Sequence, residues 1–174
     1  MLNSRVLILF LIVVLAAATR FLPHPPNFTP IAAIALFGGA YFSDKRIAFV
    51  LPLAVMILSD LFLGLHGTLL FVYFSLILTI FMGFGMRGKV SFIPVLGGAI
   101  GSSILFFIIT NFGVWISGAY YPKTLDGFIL CYTAAIPFFH HTLAGTLLYS
   151  AALFGGFEFM QLKYPKLRYN KIQV

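Results

Sequence analysis

The sequence predicts an all-α integral membrane protein, and three observations predict it. The 174-residue chain is 61% hydrophobic and only 9% charged, with a mean hydropathy of +1.04, too apolar to coat a soluble domain. Apolar runs of about 17 or more residues recur along it, each able to cross a hydrocarbon core roughly 30 Å thick. Short clusters of Lys and Arg separate those runs, as they do where charge sets the orientation of membrane helices.

One membrane domain, residues 1–174, with six transmembrane helices follows. The first covers 6–22, apolar up to Arg20. The second, 30–43, opens behind Pro23-His24-Pro25-Pro26-Asn27-Phe28-Thr29-Pro30, a stiff extended loop that cannot be helical. Thr29 reads as its N-cap and Pro30 as its first helical residue. About 14 residues rise only about 21 Å as a helix, too little to span alone. Such a segment occurs where backbone lines a cavity, and equally as a tilted partner helix. The third, fourth and fifth helices are 47–63, 68–86 and 92–117. Residues 118–136 then interrupt the pattern. Tyr120 and Tyr121 suit a membrane interface, Pro122-Lys123-Thr124 reads as a turn, and Phe128 to Ala135 is apolar but too short to cross. That piece reads as a lid or re-entrant element on the outer surface, although packing on other helices explains its apolarity as well. The sixth helix is 137–160, and a basic tail, 161–174, follows.

Charge sets the orientation. Arg5, Lys45, Arg46, Arg87, Lys89, Lys163, Lys166, Arg168 and Lys171 fall on one side, and only Arg20 and Lys123 on the other. Positive residues stay inside, so both termini of this multi-pass chain are expected in the cytoplasm, with the protein in the cell (inner) membrane. The net charge of +7 is thereby explained by topology, and no nucleic-acid partner is expected. The competing reading is a cleaved signal peptide, residues 1–19, with Ala16-Ala17-Ala18 as its cleavage site. It leaves five spans, an odd number that the charge pattern opposes, so a retained first helix is favoured. The lone Cys131 excludes an intrachain disulfide.

Polar residues inside apolar segments are costly, and each asks for an explanation. Arg20 ends the first helix and Asp60 lies about one turn inside the end of the third. Asn111 and Trp115, four apart, share one face of the fifth. His140 and His141 open the sixth, while His24 and His66 lie in the first and third loops. All of these fall on the outer side and suggest a polar cup closed over by the first, third and fifth loops. Taken singly, each has a plainer role. Arg20 can snorkel to headgroups or pair with Asp60, Asn111 can join helices, and Trp115 can anchor at the interface. The two histidines cannot both face one point, so one lines the cup at most. On the inner side Glu158 is read as pairing with Lys163. Small residues at Gly97 and Gly101 and at Ala151, Ala152, Gly155 and Gly156 permit close helix approach, mostly within the bundle.

Enzyme motifs are missing: the chain has no HExxH, GxxxxGK[ST] or GxSxG, and Ser117-Gly118 lacks the preceding glycine of an intramembrane serine protease. No catalytic residue and no metal ligand is assigned, and no i, i+4 pair of ligands exists on one helix.

The six spans, short second segment and outward cup resemble the substrate-binding S components of energy-coupling-factor vitamin transporters. The stretch from Arg20 through Asn27 to Pro30, then Ala32-Ala33-Ile34-Ala35-Leu36-Phe37-Gly38-Gly39-Ala40 and Ser59-Asp60, resembles an uncharacterised family of bacterial six-span membrane proteins related to those S components. The resemblance implies a small vitamin- or cofactor-like ligand held by Arg20, His24, Asn27, Asp60, His66, Asn111, Trp115, His140 and His141. It also implies release beside a membrane T subunit driven by two cytoplasmic ATPases. S components commonly carry an AxxxA docking face on the first helix, whereas Ala16, Ala17 and Ala18 are consecutive here. A corrinoid-binding S component with a cysteine cobalt ligand would make Cys131 the analogue, with His24 or His140 as alternatives. A packing role for Cys131 is the favoured reading, and no cofactor is expected. Two other functions remain open: a scaffold of the cell-envelope or cell-shape machinery, and a membrane enzyme with a metal site at His24, His66 and Asp60.

Overall fold

The structure, a computed structural model, describes residues 4–168; Lys171 and the rest of the expected basic tail lie outside the described residues. It is all-helical over that range. The six helices are α1 (Ser4–Ala18), α2 (Ile31–Tyr41), α3 (Lys45–Leu63), α4 (Leu69–Gly85), α5 (Phe92–Ser117) and α6 (Leu125–Lys163). Single 3₁₀ turns follow α1 (Thr19–Phe21) and α6 (Pro165–Leu167). Four helices are long and apolar enough to cross a membrane: α3, α5, α6, and α1 with its 3₁₀ turn. The outward faces fit that setting, since Leu15, Leu61, Leu70 and Phe92 all stand exposed.

At the centre lies α2. Every one of its 11 residues, Ile31 to Tyr41, is buried. It is apolar all round, so it has no face to give to solvent and must be enclosed. It packs chiefly on α4, then on α3 and α6, and also touches α5 and α1. The contact with α4 is made by backbone. A Cβ on Gly83 would lie 2.9 Å from the Gly39 Cα and 3.0 Å from the Ala40 nitrogen, so the two helices meet where neither carries a side chain. On the α3 side, Gly38 faces the Pro52 ring, with a Cβ there only 2.9 Å from the ring's Cγ.

The short α2 ends well inside the bundle, and its carbonyl end is closed by arginines. Arg5 of α1 donates to the Tyr41 carbonyl at 3.1 Å and to the Leu167 carbonyl at 2.8 Å. Arg87, just after α4, donates through Nε to the Gly39 carbonyl at 2.9 Å and through Nη2 to Phe42 at 2.6 Å. The last carbonyls of a helix have no partner within it, and cations favour that end of its dipole. These bonds bring the ends of α2, α4 and α6 and the start of α1 to one end of the bundle. Three sequence expectations change there. Arg5 and Arg87 are built into the bundle besides marking its topology. The segment after α6 folds back, with Leu167 buried. Glu158 accepts from the Tyr41 hydroxyl and from Gln161 at 2.9 Å, while the Lys163 ammonium lies 5.8 Å from the Tyr164 ring.

The largest departure from the sequence reading is α6. Its 39 residues run unbroken through Pro137, so 125–136 is its first third and not a lid or re-entrant piece. The segment lies antiparallel on α5. The Tyr132 hydroxyl donates to the Ile108 carbonyl at 2.6 Å, the Cys131 thiol meets the Asn111 carbonyl at 3.6 Å, and the Trp115 and Phe128 rings pack edge to face at 5.4 Å. Proline removes a single helical hydrogen bond, and packing on both sides of Pro137 holds the helix together across the gap. Thr124 caps it through the Gly127 amide at 3.2 Å. At α2, Pro30 occupies the N-cap position in place of Thr29, with no side-chain cap.

The glycine contact gives a direct test. Gly83→Ala should separate α2 from α4 and cost about 1–3 kcal/mol, read as a lowered unfolding midpoint in detergent. Gly97→Ala on α5, whose Cβ would meet nothing within 4 Å, should instead hold or raise the midpoint.

Candidate functional site

The opposite end of the bundle carries a polar cluster built on one ion pair. Arg20, in the turn after α1, places Nη2 2.8 Å from Asp60 Oδ1, one turn from the end of α3. The Arg20 side chain is 10% exposed and that of Asp60 4%, so both charges are withdrawn from solvent. The second carboxylate oxygen, Oδ2, accepts from the Tyr73 hydroxyl of α4 at 2.7 Å. The other arm of the guanidinium, Nη1, donates to the Ser59 hydroxyl and lies 3.3 Å from the Met56 sulfur. A buried charge pair is stable only when its remaining lone pairs and protons are also satisfied, and Tyr73 and Ser59 supply most of that. One group is left over: Arg20 Nε is buried and has no acceptor among the described residues.

Beside this cluster is a cavity of about 170 Å³. Arg20 and Asp60 form one wall, and Thr142 and Thr146 of α6 another. Ile31 and Ala32, the first residues of α2, form its base, so the uncapped amide end of that helix is turned toward it. Asn27 and Thr29 of the first loop and His66 of the third complete the rim. The first loop is seated by Gly145 of α6, where a Cβ would lie 3.1 Å from the Thr29 nitrogen. Asn27 holds the turn above with φ of 64°, a left-handed conformation that asparagine tolerates better than most residues.

Of the nine residues singled out in the sequence, four line this cavity: Arg20, Asn27, Asp60 and His66. His141 braces the roof from outside, its Nδ1 3.1 Å from the Pro26 carbonyl. His140, on the neighbouring face, is exposed, and so is His24, whose Nδ1 lies 3.0 Å from the Pro25 carbonyl. Asn111 donates to the Phe107 carbonyl of its own helix at 2.8 Å. Trp115 closes the α5–α6 turn, donating to the Pro122 carbonyl at 2.9 Å while the Lys123 ammonium sits 5.9 Å from its ring. Among the described residues no three His, Cys, Asp or Glu side chains come close enough to hold a metal ion.

Sequence reasoning missed Tyr73 and the threonine wall, and named Ser59 only as part of Ser59-Asp60, without a role. The signal for the wall was present: Thr142, Thr146 and Ser150 recur every four residues and so form one polar stripe on α6. The two threonine hydroxyls donate to Phe138 at 3.2 Å and Thr142 at 2.8 Å on their own helix, which leaves each oxygen able to accept.

A family model matches residues 1–167, nearly the whole chain. The chain belongs to DUF6580, a family of unknown function. No curated protein and no solved structure matches it. The family therefore carries no assigned chemistry to the cavity, and the cluster has to be read from its own geometry.

The ion pair can be tested through its coupling. Asp60→Ala alone should cost about 3–5 kcal/mol, because it leaves Arg20 buried against an apolar void. The double variant Arg20→Met/Asp60→Ala should be more stable than the sum of the two single losses implies, as read from unfolding midpoints of all four proteins.

Proposed function

We propose that this protein is a substrate-binding membrane subunit, of the S-component type, that captures a small molecule in the cavity beside Arg20 and Asp60. The observation that carries the reading is the donor excess around that cavity. Arg20 lines the cavity and its buried Nε has no acceptor among the described residues, and the uncapped amide end of α2 lies at the base. Both favour a ligand that brings an acceptor oxygen, such as a carboxylate or carbonyl group. Asp60 already takes two donors and balances the Arg20 charge, so it serves to aim the guanidinium.

Size narrows the proposal. Sites for drug-sized ligands usually enclose about 300–1,000 Å³. At about 170 Å³ the cavity suits the polar end of a vitamin-sized molecule, with entry of the rest requiring the first loop to lift from Gly145. On this reading the positive residues lie on the cytoplasmic side, which would put the Arg20 end outside the cell. Uptake would then need a T subunit and ATPases, since the chain has no P-loop of its own. The scaffold reading keeps one specific support: Gly97, Gly155 and Gly156 face open space and leave small-residue surfaces available to another helix.

The test is a mass spectrum of small molecules retained by wild-type protein through gentle purification, beside Ala32→Leu and Trp115→Phe. Ala32 is at the cavity base, so leucine there should expel the ligand. Trp115 lies outside the cavity, and its variant should retain the ligand. A well-folded wild-type protein that carries nothing, or equal retention by all three, would overturn the binding reading in favour of the scaffold.

A further inference from the structure

A second cavity lies at the other end of the bundle, where the arginines gather. It encloses about 660 Å³, within the range typical of ligand sites. Its described lining carries Arg5, Arg87 and Arg168 against one carboxylate, Glu158, a formal balance of 3 − 1 = +2. Glu158 Oε1 already accepts from Tyr41 and Gln161. Arg5 and Arg87 donate to the carbonyls that end α2, so they contribute fixed positive charge. Arg168 is different. It is exposed and lines the cavity, and the bond described for it runs from Nε to the Gln161 carbonyl at 3.3 Å, while its terminal nitrogens form the planar fork of a guanidinium. Such a fork matches a phosphate.

The cavity does not end at its polar wall. Val90 and Glu158 also line a groove of about 520 Å³ between α5 and α6. The groove is walled by Phe92, Val95, Leu96, Leu147 and Phe154 and floored by Ala151 and Gly155, whose small size keeps it open. A cationic chamber that continues into an apolar trough matches a molecule with an anionic head and a hydrocarbon tail. We infer that this end of the protein binds an anionic phospholipid, its phosphate held by Arg168 in the field of Arg5 and Arg87 and one acyl chain along the α5–α6 groove. Basic pockets between membrane helices on the cytoplasmic side recognise phosphate headgroups in this way. The site is independent of the Arg20 cavity and of any function proposed for it.

Native mass spectrometry of the purified full-length protein in mild detergent tests the inference. The probes are dioleoyl phosphatidylglycerol, dioleoyl phosphatidylcholine and inorganic phosphate. Phosphatidylglycerol should bind in preference to phosphatidylcholine, and Arg168→Gln should weaken it about fivefold. Gly155→Phe, whose side chain enters open space in the groove, should reduce binding of both lipids without lowering the unfolding midpoint. Equal binding of the two lipids would overturn the inference. Displacement of phosphatidylglycerol by inorganic phosphate, with Gly155→Phe indifferent, would instead identify a site for free phosphate compounds. A change of oligomeric mass in Gly155→Phe with lipid binding intact would make the groove a helix-docking face, and would overturn the inference equally.

Discussion

A helix that is apolar on every side is stable only inside other helices, and α2 imposes that condition on the whole bundle. Its enclosure depends on the backbone contact between Gly39 and Gly83, which lets α4 approach closely enough to seal one flank. The remaining flanks fall to α3, α6, α5 and α1. Because 11 residues rise only about 16 Å, less than the roughly 30 Å of hydrocarbon, the helix stops short of the bundle's ends. Each end then has to be finished by side chains from elsewhere. The amide end meets Arg20, Asp60 and the first loop, and the carbonyl end meets Arg5 and Arg87. Both cavities are the space left over by one short helix.

The two ends solve the same problem with opposite polarity. At the carbonyl end, guanidinium groups satisfy carbonyl oxygens directly, and cations suit the negative pole of the helix. At the amide end a side-chain cap is missing, and the nearest guanidinium is turned to a carboxylate on another helix. Unmatched donors thus collect at the Arg20 end, where Asp60 balances the charge, while at the other end the backbone acceptors are already occupied and three arginines face one carboxylate. This asymmetry is a reason to expect a ligand rich in oxygen at the Arg20 end.

Much of this organisation was legible in the sequence, and its gaps have physical causes. The short second helix showed itself through Pro30 ahead of an apolar run that ends near Ser43. Arg20 and Asp60 stood out as opposite charges in apolar surroundings, and they do meet. Asn111 stood out equally but spends its amide on the Phe107 carbonyl four residues back, a partner that an isolated helix already offers. Tyr73 was invisible for the opposite reason, since a tyrosine in a phenylalanine-rich run looks like packing until its hydroxyl is traced to Asp60. The continuity of α6 was hidden by Pro137, because proline reads as a boundary. Packing against α5 overrides that local signal, as tertiary contact often does.

The order in which the chain is made gives the burial of α2 a further meaning. Its principal neighbour, α4, is completed at Gly85, and α6 only at Lys163, long after Tyr41 has left the ribosome. At about 5–20 residues per second, α2 waits for seconds beside α1 and the emerging α3 before α4 is complete, with too little length to cross a bilayer alone. Its final placement is therefore a late, cooperative step of biogenesis. Until that step the glycines at 38 and 39 form a bare backbone seam, open to whichever membrane helix or chaperone reaches it first.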